Sequence, residues 1–303
     1  MNYLNEINKK YPVRRSNEQK NNFIKYTKEE LKKYNVNINA ETIDKHTNII
    51  IGDVSKAKVI YTAHYDTPAS SVFPNLMLPR NKLLSYIYVF SYAFVIVFFS
   101  FVFTFLLQEI FNFNQDVLIG VYLGIYLLLF YVCTRFVPNK NNINDNTSGV
   151  ATIFSLVSEI KNNDVAYILF DNEEKGKLGS KAYSKKYKDM LKDKLIINFD
   201  CVGNGNNVIL VCKDKAKNHE FYKKINETLK PNNEYDVKIY GMRGSSSNTD
   251  FLNFECSLSV MACKKSKLIG YYTPNIHTAF DTVASTKNID FLVESFSNFS
   301  NII

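Results

Sequence analysis

The chain has 303 residues, 46% hydrophobic and 22% charged, a balance that excludes a disordered protein and suits one large α/β domain or two small ones. Its net charge of +8 comes largely from dispersed lysines with no RNA-binding signature or zinc-finger spacing beside them, so nucleic acid is not expected as a partner. The five cysteines are odd in number and form no C-x-x-C pair, which argues for a reducing compartment over a disulfide framework.

The opening MNYLNEINKKYPVRR lacks the apolar core of a signal peptide. Residues 16–34 read as a helix capped by Ser16, with Gln19 at capping-box spacing. Residues 48–51 and 58–63 read as short strands. From Leu83 to Leu107 no residue is charged, and VLIGVYLGIYLLLFYVCT at 117–134 is a second apolar run. About 20 such residues cross a hydrocarbon core. With the short link 108–116 the two runs predict a transmembrane hairpin, 83–137, inserted into a single domain made of 1–82 and 138–303. Neither run shows a polar face, which sets this reading against a pair of buried core helices. Arg80, Lys82, Arg135 and Lys140 flank the spans, and the link has no Lys or Arg. The positive-inside rule therefore predicts an integral two-span protein, lipid bilayer around its hairpin and soluble parts in the cytoplasm. A basic surface suits an anionic leaflet. Gly120 and Gly124 form G-x-x-x-G, a spacing that would pack the two helices closely or pair the hairpin with a second copy as a homodimer.

Beyond the hairpin, 147–162 has helical spacing of apolar residues, and 165–170 is an apolar strand. A helix at 179–191, strands at 195–199 and 207–212, a helix at 219–229 and strands at 237–240 and 258–262 follow. A closing helix, 288–303, carries Leu292, Phe296, Phe299 and Ile303 in phase. Strands alternating with helices predict an α/β fold: a mixed, mostly parallel central sheet with helices on both faces.

In open α/β sheets ligands gather at the carboxyl ends of strands. Here those ends carry His64 and Asp66, Glu173 and Glu174, and Asp200; Asp145 follows the hairpin, and NIHTAFDT supplies His277 and Asp281. Histidines and carboxylates without cysteine suit zinc, cobalt or manganese. In H-x-D a carboxylate can take the second N–H of a metal-binding imidazole, so Asp66 is placed to orient His64, and the same role towards His277 is expected of Asp281. His46 and His219 lie in polar contexts and receive no role. Two adjacent glutamates closing a buried strand need separate partners, because like charges repel and burial of either alone is costly.

AHYDT, NDNTSGVA, FDNEEKGKLGS, NFDCVG and IHTAFDT resemble, in order, the five motifs of metallopeptidase family twenty-eight, zinc exopeptidases that include leucyl aminopeptidases and glutamate carboxypeptidase. The resemblance covers 59–69 and 143–282. It implies a zinc-exopeptidase (phosphorylase/hydrolase-like) fold and two Zn2+, with Co2+ or Mn2+ as substitutes. His64 and Asp200 would hold one ion, Glu174 and His277 the other, and Asp145 would bridge them. Glu173 would be the general base, Asp66 the catalytic residue behind His64, and the Asp145–Asn146 peptide cis. The implied activity is hydrolysis of a peptide substrate by metal-activated water, most simply as an aminopeptidase. The inserted hairpin would set the cleft near the bilayer and favour membrane-delivered peptides. Three departures stand out: the long gap between His64 and Asp145, SSSNTDFLNF where the family often has Ser-Asp-His, and Cys201 in place of a frequent methionine. Two other readings are an inactive membrane scaffold of the same fold and a single-zinc glutaminyl cyclase; the missing tryptophans and DNTSGVA weigh against the latter.

Overall fold

Val59, Ile60, Tyr61 and Ala63 leave their strand no polar face, and it is buried along its whole length. The same holds for 165–170 and 195–199. Such strands belong in the middle of a sheet covered on both faces. The computed structural model describes residues 2–303 and places them there. In chain order the strands are β1 (Ile38–Ile43), β2 (His46–Ile51), β3 (Val59–His64), β4 (Leu76–Met77), β5 (Val165–Phe170), β6 (Leu195–Phe199), β7 (Asn207–Cys212), β8 (Asp236–Gly241), β9 (Ser257–Ser266) and β10 (Gly270–Pro274). The helices are α1 (Tyr3–Lys10), α2 (Asn17–Leu31), α3 (Lys82–Phe111), α4 (Gln115–Thr134), α5 (Gly149–Glu159), α6 (Leu178–Lys186), α7 (Lys188–Leu191), α8 (Asp214–Lys217), α9 (Tyr222–Thr228) and α10 (Thr286–Ser300).

The sheet runs β1-β2-β5-β3-β6-β9, with β7 and β8 beyond β9 and the β10–β4 pair joined to the end of β9. Its four central strands, β5, β3, β6 and β9, are parallel, and β1 and β2 close one edge antiparallel. Alternation along the strands splits the core. Tyr61, Tyr167 and Ile197 face α5 and α10, while Ile60, Ile168 and Ile196 face Tyr183 and Leu191 of α6 and α7. Ser16 caps α2 with both reciprocal bonds of the capping box.

The hairpin is outside this core. Of α3 only Ile96, Ser100 and Thr104 are buried, and of α4 no residue. Leu83, Phe90, Phe94 and Phe101 are 63–72% exposed. Two buried core helices are therefore not what these runs form. They are two helices long and apolar enough to cross a membrane, and soluble monomers rarely expose apolar patches beyond a few hundred Å². Where α3 meets α4, the Ser100 and Thr104 hydroxyls donate to Ile96 O (2.7 Å) and Ser100 O (2.8 Å), so neither hydroxyl is stranded there. Gly120 and Gly124 have nothing within 4 Å of a built Cβ, so they do not pack the helices against each other.

Both roots of the hairpin are tied to the body. Ala69 bridges Pro138. Arg80 lies over the Tyr240 ring at 4.2 Å and donates to Arg243 O (3.0 Å). Arg135 donates to Glu174 O at 3.2 Å.

Candidate metal centre

Five loops at the carboxyl end of the sheet converge. β3 ends on His64, β5 is followed by Glu173 and Glu174, and β6 by Asp200; Asp145 precedes α5, and His277 follows β10. The structure brings His64, Asp145, Glu174, Asp200 and His277 together. Asp145 lies between the histidines: its Oδ1 is 3.3 Å from His64 Nε2 and its Oδ2 is 2.9 Å from His277 Nε2. His64 Nε2 also faces Asp200 Oδ1 at 3.8 Å, and His277 Nε2 faces Glu174 Oε2 at 3.3 Å. Two donor sets result, His64–Asp145–Asp200 and Asp145–Glu174–His277, with the ligand atoms of each within 4.8 Å of one another. His64, Glu173 and Glu174 form a third, overlapping set.

The local backbone is built for this approach. The Asp145–Asn146 peptide is cis, as the resemblance implied. Asn172, Cys201 and His277 have positive φ (54°, 55° and 56°), a strained region for non-glycine residues that clusters at functional sites. Gly179 lets α6 approach the β5 loop: a Cβ there would sit 2.2 Å from Asp171 O.

Asp66 does two things. Its carbonyl oxygen lies 3.2 Å from His64 Nδ1, with its Oδ1 at 3.5 Å, so an Nδ1–H has acceptors on that side and Nε2 is the nitrogen that faces the centre. Its carboxylate also accepts from the backbone N–H of Glu173 (2.9 Å) and Glu174 (3.2 Å), fixing the glutamate loop. The parallel role expected of Asp281 towards His277 is not found. Among the described residues no hydrogen bond joins them, because the Asp281 carboxylate accepts from the backbone N–H of Asn144 (3.3 Å) and Asp145 (3.0 Å). It braces the backbone of Asp145 instead.

Three residues that sequence reasoning missed complete the surroundings. Arg14, fully buried, donates to Tyr65 O (2.5 Å), Tyr11 O (2.6 Å) and Thr147 Oγ1 (3.1 Å), which pins the His64 loop to the turn after Asp145. Lys20 pairs with Asp171 at 2.5 Å, both side chains 5% exposed, and donates to Asn172 Oδ1 (2.7 Å) immediately before the glutamates. Asp250 is wholly buried, accepts from Ser180 Oγ at 2.5 Å through Oδ1, and leaves Oδ2 without a partner. No local signal marks Arg14 or Lys20. Asp250 was readable as a carboxylate in the SSSNTDFLNF segment where the family pattern breaks.

The electrostatics are those of a centre short of positive charge. Burial opposes ionisation of Asp145, yet His277 and His64 outweigh it and hold its carboxyl below the ordinary range. Burial pushes Glu174 up, with Asp145 adding. Glu173 is driven well above the usual range by burial, with Asp250, Glu174 and Asp200 adding against the pull of His64. Burial would lower both histidines, but the facing carboxylates raise His64 and His277 well above theirs. Acceptor atoms aimed at one another need a proton or a cation between them. Glu174 Oε1 is buried with no hydrogen-bond partner, an orphan of the kind an ion satisfies. Nitrogen and carboxylate donors without sulfur fit zinc.

The sequence of residues 134–297, more than half of the chain, matches the model of Peptidase family M28. No curated protein matches. Among solved structures, the chain is similar to Porphyromonas gingivalis glutaminyl cyclase (TM-score 0.63, 12% identity, 99% of this chain and 96% of that one). It is also similar to the Legionella pneumophila LapA aminopeptidase (TM-score 0.59, 11% identity, 99% and 68%). Fimbriiglobus ruber glutaminyl cyclase is a third (TM-score 0.58, 12% identity, 99% and 93%). At these identities the likeness is one of fold.

Proposed function

Because this chain belongs to Peptidase family M28, we propose that it is a membrane-anchored zinc exopeptidase, acting as an aminopeptidase with two metal ions. The observation that carries the reading is the two-sided Asp145 carboxylate, one oxygen toward His64 and the other toward His277. His64 and Asp200 would hold one ion, Glu174 and His277 the other, with Asp145 shared. When bound, the metal supplies Lewis acidity, which lowers the pKa of water and polarises a carbonyl.

The chain's own residues supply the rest. Glu173 takes the proton of the attacking water and passes it to the departing amine as the peptide C–N bond breaks. Burial, with Asp250 and Glu174 beside it, raises its proton affinity, which suits it to hold the proton between the two halves of that transfer. Asp66 holds the backbone of Glu173 and Glu174 in place. Arg14 and Lys20 keep the loops bearing His64 and the glutamates in register with Asp145. The hairpin anchors the chain in a bilayer, catalytic body in the cytoplasm, with the cleft facing peptides that reach the membrane surface.

The test is the full-length protein loaded with zinc and assayed against aminoacyl and peptide reporters, with metal counted per chain. Two bound ions and cleavage from the amino terminus are expected. A second reading, a single-metal glutaminyl cyclase, draws on the fold likeness to the Porphyromonas gingivalis enzyme. One ion per chain and cyclisation of N-terminal glutamine would favour it. Absence of bound metal would leave an inactive scaffold.

A further inference from the structure

The segment leaving the His64 loop runs beside the end of α4. Ser70 N donates to Val137 O (2.7 Å), Val72 N to Cys133 O (3.0 Å), and Ser71 N to His277 O (2.7 Å). Phe73 stacks on Tyr92 of α3 with ring centres 5.0 Å apart, and the Tyr88 hydroxyl donates to Pro74 O at 2.6 Å. These contacts draw the body-side turns of both hairpin helices to the rim of the metal centre.

A cavity of about 220 Å³ opens between them. Glu174 and His277 line it, together with Tyr92 of α3, Phe130 and Thr134 of α4, and Arg135. Its volume falls below the roughly 300–1,000 Å³ that encloses a whole drug-sized ligand, so it has room for a single side chain. The Thr134 hydroxyl is committed to Phe130 O at 2.7 Å. The hairpin wall is thus two aromatic rings and a methyl, with the Tyr92 hydroxyl, buried and without a hydrogen-bond partner among the described residues, as its one uncommitted polar group; Ser71 and Asn75 also line the cavity.

We propose that this cavity receives the side chain of the substrate's N-terminal residue, and that hairpin residues Tyr92, Phe130 and Thr134 make it selective for aromatic and large aliphatic side chains. The inference rests on the aminopeptidase reading. An aminopeptidase holds the first residue's carbonyl at the metal centre, and that residue's side chain leaves from the neighbouring carbon. It must enter a space bordering the ligands, and this cavity borders two of them. A charged side chain would lose its water against Tyr92 and Phe130, and Arg135 would repel a basic one. The two helices that anchor the protein then also supply its specificity.

The test uses the full-length Glu173→Gln protein, zinc-loaded in lipid nanodiscs, with calorimetric binding of tripeptides that differ only in an N-terminal Phe, Ala or Asp. The Phe peptide should bind about tenfold more tightly than the Ala peptide, the discrimination a well-filled apolar pocket gives. Phe130→Trp, which fills the cavity, should abolish that preference and leave Ala-peptide binding within twofold. Thr134→Leu should reduce the preference in the same direction, and serves if the first variant misfolds. Phe94→Ala, on α3 and 70% exposed, should change nothing. Equal effects of the cavity variants on both peptides, no effect on either, or tightest binding of the Asp peptide would overturn the proposal. Selective binding without cleavage by the wild-type protein would instead sink the peptidase reading and leave the pocket standing.

Discussion

Asp250 is a carboxyl whose few favourable partners do not offset its burial. Burial, with Asp66 and Asp200 adding, pushes it up to about 7 from 3.8, against the pull of His64 and Ser180. The folded protein therefore keeps a proton that the unfolded chain releases between about pH 4 and pH 7. Where the folded state binds more protons, stability falls as pH rises. The group's contribution is fully present below 3.8 and lost as pH climbs to about 7. That difference corresponds to about 4 kcal/mol at pH 8. At about 2–4 °C per kcal/mol for a body of this size, it amounts to about 10 °C in Tm. Asp250→Asn removes the titration, keeps an oxygen to accept from Ser180, and offers an N–H where Oδ2 now has no partner. Scanning calorimetry of the metal-free protein at pH 4.5 and pH 8 should show the wild type losing about 10 °C more than the variant. Parallel losses in the two proteins would refute the placement of a proton on Asp250.

Glu173→Gln should retain the full metal content and lower kcat by about 10²–10⁴, the usual worth of a general base; normal turnover would reassign the residue. Stripping the metal with a chelator should abolish activity, and zinc at about a thousand times its Kd should return about 4 kcal/mol of stability, read as a concentration-dependent Tm. Lys20→Met strands Asp171 in the interior and should cost about 3–5 kcal/mol by thermal or denaturant unfolding, with Asp171→Asn on the same background restoring much of it. Replacing the hairpin by a short loop should cut cleavage of membrane-bound peptides relative to soluble ones; an unchanged ratio would separate the hairpin from substrate choice.

The central strands were legible because strands buried on both faces read as unbroken apolar runs. β5, β6 and β7 fall on the residues their composition marks. β1, β4 and β10 were not, since INAETI is half polar, LM is two residues long, and GYYTP is a short run bounded by Gly and Pro. α1 was hidden by its polar composition, and the 179–191 helix breaks at Tyr187 into α6 and α7. The ligand-bearing motifs could be read because each is local to a strand end. What holds them is not local. Arg14 reaches Tyr65 and Thr147 across 51 and 133 positions, and Lys20 reaches Asn172 across 152, distances over which a single sequence carries no pattern. The G-x-x-x-G pair showed the converse, a motif present in sequence with no partner in the hairpin itself.

α4 ends at Thr134, and the next residue donates to the backbone of Glu174. With the hairpin embedded as proposed, the reaction centre rides at headgroup depth. It would then sample its substrates in two dimensions, responding to their surface density per lipid and not to their bulk molarity. Diluting a peptide by adding plain vesicles should slow its cleavage even though the amount of peptide and enzyme in the tube is unchanged.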